Sequence, residues 1–106
     1  MSTAYTYLSV VSLKKQSNVV WFELFNPEMA QENFLIWENK GINYDRQRIS
    51  DDEVIVKFYY LDQTHYTEFH AWFDTTIQCQ SRLNYNNQNN IICTRVYLGP
   101  LDQYQI

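Results

Sequence analysis

The chain has 106 residues and a formal net charge of −4, from 12 acidic and 8 basic side chains, and 45% of it is apolar with 17% aromatic. That material suits one core in a single domain over residues 1–106 and argues against disorder along most of the length. The acidic balance argues against phosphate-backbone affinity as the main task, and no apolar run approaches the ~20 residues needed to span a membrane.

The start of the chain, Met1 to Lys15, has no basic segment leading into an apolar core, so no signal peptide is expected. Cys79 and Cys93 are too few for a disulfide framework and read as reduced thiols in a cytoplasmic setting. With only 2 glycines the chain has no glycine-rich phosphate loop. The excess of Asn, Tyr and Ile is what AT-rich coding produces, as in a phage or a bacterium with such a genome.

In chain order, Ala4–Leu13 is rich in Tyr, Val, Thr and Ser and predicts a strand. Lys14–Asn18 reads as a polar turn. Val19–Phe25 predicts a second, strongly aromatic strand. Asn26-Pro27 marks a helix start, with Asn as cap and Pro in the first turn. Ala30, Phe34 and Trp37 share one face of that helix, and Lys40-Gly41 stops it. Ile42–Ile49 alternates like a half-exposed strand, Ser50–Asp52 is a turn, and Glu53–Leu61 is the clearest strand. A second helix starts at Asp62 or Thr64, with Tyr66, Phe69, Phe73 and Ile77 as its buried stripe. A strand over Tyr66–Phe73 is the alternative parse. The Asn-rich run Asn84–Asn90 predicts a loop, Ile91–Leu98 the last strand, and 98–106 a candidate loose tail.

The element order is β followed by β-α-β-β-α-β. It predicts an α+β fold, a ferredoxin-like βαββαβ unit with an extra N-terminal strand. The match is one of element order alone.

Chemistry is sparse. His65 and His70, five apart, fall on different faces of a helix and share no metal site. Asp51, Asp52 and Glu53 sit in a hairpin turn, where solvated acids are the rule. No serine lies in a nucleophile elbow, and neither cysteine has a catalytic signature. The sequence therefore predicts no catalytic residue, no metal and no cofactor.

What stands out is apolar character on both faces of the central strands. If the aliphatic sets face the helices, the open face shows Trp21, Lys57, Tyr59, Arg95 and Tyr97. Such a face predicts an interface, with Trp21, Tyr59 and Tyr97 as anchors and Lys57 and Arg95 setting orientation. The expected function is non-enzymatic protein binding, to a second copy or a partner protein, for instance as a phage-type accessory or inhibitor. One alternative is a single-stranded RNA or DNA sheet, disfavoured by the acidic charge and a missing glycine in Val56–Tyr60. Another is a small dimeric α+β-barrel enzyme with Trp37, Trp72, His65 and His70 around a pocket.

Overall fold

The computed structural model describes residues 5–104 of the chain. Four strands and four helices follow in the order β1 (Tyr7–Lys14), α1 (Phe22–Phe25), α2 (Pro27–Asn39), β2 (Asn43–Ser50), β3 (Glu53–Tyr60), α3 (Gln63–Phe73), α4 (Ile77–Gln88) and β4 (Ile92–Pro100). A 3-10 turn, Leu101–Gln103, closes the described chain. The strands form one antiparallel sheet in the order β2-β3-β1-β4.

Helix ends follow local chemistry. The Asn26 side chain accepts the Met29 N–H at 3.2 Å, and Pro27 takes the first helical position. At the other end Gly41 has φ +74, and Gly41 N–H and Ile42 N–H return to the Glu38 and Trp37 carbonyls at 3.1 and 2.9 Å. This is a Schellman ending, and it brings Ile42 back to Trp37, both buried in one cluster. Asp62 caps α3 through the His65 N–H at 2.8 Å, and Thr76 caps α4 through the Cys79 N–H at 3.2 Å.

Several expectations need correction. Val19–Phe25 is not a strand, so among the described residues the sheet has four strands and no extra N-terminal one. β1 itself holds the central place between β3 and β4. Trp21 flanks the short helix α1, whose Phe22 is buried while Leu24 and Phe25 stay exposed. The stripe expected to run to Ile77 is two helices, because the Thr76 cap starts a new one. The Asn-rich run is helical to Gln88 and leaves the helix only at Asn89 and Asn90, the latter at φ 57. One aromatic overrides the weak helix preference of the asparagines. Tyr85 is buried against Phe22 and Phe25, and its hydroxyl donates to the Val20 carbonyl at 2.7 Å. Residues 98–104 complete β4 and turn back onto the sheet. Ala4 and residues 105–106, parts of the expected first strand and tail, lie outside the described residues.

All four helices lie on one face. Leu13 and Val11 of β1 and Val54, Val56, Phe58 and Tyr60 of β3 meet them there. The other face carries Leu8, Val10 and Ser12 of β1 beside Tyr59, Lys57 and Ile55 of β3. Leu8 and Val10 are nonetheless 1% and 0% exposed. Tyr97 pairs opposite Val10 and lies along its own strand, its hydroxyl 2.6 Å from the Pro100 carbonyl. Gly99 makes room for it: a Cβ there would sit 3.0 Å from that hydroxyl. Tyr104 packs against Tyr97 with ring centroids 5.1 Å apart and tilted, under the Lys57 ammonium, and the Leu101 N–H ties the turn to the Thr6 carbonyl at 2.8 Å.

β4 carries a bulge. Val10 pairs with Tyr97 while Val11 pairs with Arg95, so Val96 is an extra residue in the ladder. Tyr97 and Arg95 consequently point to opposite faces.

Candidate functional site

The residues singled out by sequence separate into three places. Lys57, Tyr59 and Tyr97 share the helix-free face. Trp21 lies off the sheet, with the Lys15 ammonium and the Arg46 guanidinium each 5.4 Å from its ring and its Nε1–H donating to the Asp51 carbonyl at 3.2 Å. Arg95 points to the helix side, its guanidinium 5.8 Å from the Tyr66 ring.

On that helix side the sheet and helices do not close completely. A cavity of about 350 Å³ remains beneath α3 and α4, next to β4. Its floor is Ser9, Val11 and Leu13 of β1 with Val56, Phe58 and Tyr60 of β3. Trp37, Phe69 and Phe73 form an aromatic roof. Asp74, Leu83, Cys93 and Arg95 line it and are also exposed, which places its mouth along β4. The sheet produces this opening because β4 lies outside the helix layer: of its side chains from Ile92 to Leu98, only Tyr97 is not exposed.

A hydrogen-bonded chain runs along one wall. His70 Nδ1 lies 3.1 Å from Asp74 Oδ1, and its Nε2 lies 3.2 Å from the Tyr60 hydroxyl. A carboxylate only accepts, so a neutral ring donates from Nδ1 and leaves Nε2 to accept the phenol proton. Burial pushes the Tyr60 phenol far above its ordinary range, helped by neighbouring Tyr66 and opposed by Arg95. Burial likewise pushes the Cys79 thiol up. The phenol therefore stays a protonated donor and the thiol stays un-ionised at neutral pH. The chain of hydrogen bonds holds Asp74, His70 and Tyr60 in place along the wall.

On α4, the Arg82 guanidinium sits 5.4 Å from the Trp37 ring, and its Nε is buried with no hydrogen-bond partner among the described residues. Of the four residues expected around a pocket, Trp37 and His70 line this cavity. His65 instead ties three elements together: it accepts the Leu61 N–H at Nδ1, 3.0 Å, and donates from Nε2 to the Lys40 carbonyl at 2.8 Å. Trp72 lies under the Lys40 ammonium at 4.6 Å. The sequence reading missed Arg82 altogether. Its signal was the spacing Cys79, Arg82, Tyr85, one helical face that runs into the stretch Asn84–Asn90 expected as a loop.

Among the described residues no three His, Cys, Asp or Glu side chains gather as a metal site, and no helix is long and apolar enough to cross a membrane. The chain matches no family model, no curated protein and no solved structure.

Proposed function

We propose that this chain is a non-enzymatic binding protein whose ligand is a small, largely apolar molecule held in the cavity between sheet and helices. One observation carries the reading: about 350 Å³ of space, walled by aromatic rings and open at one side, persists in a domain of only 106 residues. Interiors normally pack to near-crystal density, and sites for small molecules are concave, mostly apolar and few. The strand order β2-β3-β1-β4, with helices after β1 and after β3, supports a ferredoxin-like assignment for the frame that carries the site.

The test is protein-observed NMR with a panel of one- and two-ring aromatic compounds, neutral and charged. Shifts at Phe58, Phe69 and Phe73, lost when Leu83→Trp blocks the mouth, are the expected result. A panel in which no compound moves those resonances sinks the reading.

Contact with a second copy of the chain is the second reading. Ile92, Val96 and Leu98 are 62%, 53% and 36% exposed along β4, whose one charge is Arg95. A copy seated there would also close the cavity mouth. A solution mass that stays monomeric across a concentration series rejects it.

A further inference from the structure

We infer that the ligand of this cavity carries a carboxylate on a planar apolar body, with Arg82 as its inner anchor and Arg95 as a second cation at the mouth. The inference rests on the cavity being a ligand site.

The chain has four arginines. Two are paired: Arg46 with Glu23 at 2.9 Å, and Arg48 with Asp51. The other two, Arg82 and Arg95, form no carboxylate pair among the described residues, and both line the cavity. In a chain with 12 acidic and 8 basic side chains, acids are not scarce. Leaving two guanidinium groups unpaired beside one cavity is therefore informative. Arg82 is the stronger case, because it lines the cavity half-buried while Arg95 is exposed, and a charged contact gains strength where water is partly excluded.

Both guanidinium groups are oriented by an aromatic neighbour, Arg82 by Trp37 and Arg95 by Tyr66. A planar fork in a fixed plane matches the two oxygens of a carboxylate. Asp74, the one carboxylate on the lining, is engaged with His70 at the rim. The lining therefore carries two arginines against one aspartate, a local excess of positive charge in an acidic chain. Beyond the cations, Trp37, Phe58, Phe69 and Phe73 offer ring faces and edges, and the volume suits one or two fused rings.

Calorimetric titration of the full chain with 2-naphthoate and its neutral isostere 2-naphthamide tests the inference. The carboxylate should bind at least about 10-fold more tightly, the range of a charge-assisted hydrogen bond in a partly dry site. Arg82→Met should erase that preference while leaving 2-naphthamide within about 2-fold, since the apolar walls are untouched. Arg82→Lys keeps charge without the fork and should fall between; Arg95→Gln should cost less than Arg82→Met because Arg95 is exposed. Equal affinity for acid and amide overturns the carboxylate while the cavity reading stands. Silence from both compounds, together with unmoved cavity resonances, removes the cavity reading as well. Should Arg82→Met fail to fold, the acid-to-amide ratio of the unmodified chain and of Arg95→Gln still decides.

Discussion

The two faces of the sheet differ in a way their cover does not suggest. One face has no helix, yet it buries Leu8 and Val10 almost completely. The other has four helices and keeps a cavity. On the first face Tyr97 and Tyr104 pack against each other at a tilt with the Lys57 ammonium over the Tyr104 ring, next to the three-residue turn that follows β4. On the second, the helices cluster over β1 and β3 and leave β4 uncovered. A layer of helices does not guarantee a filled core, and a face without helices can still bury its central strand.

The sharpest break of that comparison uses two adjacent valines of β1 that point to opposite faces. Val10→Ala should cost about 2 kcal/mol or more, since it removes fully buried methyl groups from a site with no room to collapse. Val11→Ala, beside space that already exists, should cost about 1 kcal/mol or less. Urea denaturation of both variants gives the answer, and equal losses would mean the two faces are packed alike. A change in the shared frame comes next. Gly41→Ala forces a side chain into the left-handed ending of α2 and should cost about 1 kcal/mol. Nothing lies within 4 Å of the added Cβ, so the loss would report backbone strain alone.

The smallest effect is one of pH. Tyr60 and Cys79 both titrate above their ordinary values in the folded chain because burial disfavours the charged forms. The folded state therefore holds protons that the unfolded chain releases above about pH 9 for the thiol and about pH 10 for the phenol. Their contribution is complete below those values and is lost as pH rises through the folded ones. Thermal melts from pH 8 to pH 11 should show a falling midpoint, and Tyr60→Phe should flatten the slope. An unchanged slope in that variant would assign the alkaline loss to other groups.

Much of the frame was legible where the signal is local. Asn26-Pro27 and Lys40-Gly41 mark the two ends of α2, and Glu53–Leu61 reads as a strand from its composition, one residue longer than the observed β3. What escaped depended on partners. Val19–Phe25 looks like a strand until β1 is seen to occupy the central place in the sheet. The asparagine run looks like a loop until Tyr85 finds Phe22 and Phe25. Parity puts Arg95 beside Tyr97 on one face, and the bulge at Val96 breaks that parity. Arg95 therefore reached the cavity for a reason no alternation pattern carries. Arg82 was hidden because a loop over Asn84–Asn90 cuts short the helical face that it shares with Cys79 and Tyr85.

The bulge also says which length changes the chain can absorb. With Val11 opposite Arg95 and Val10 opposite Tyr97, the ladder is in register on both sides of Val96. Loss of the Val96 codon would leave every neighbour opposite its present partner and join the two halves into an unbroken strand. Loss of the codon before it would slide Val96 into the seat of Arg95 and take the cation from the cavity mouth. Two adjacent deletions of equal size would thus have opposite consequences, one nearly silent and one removing a charge from the site.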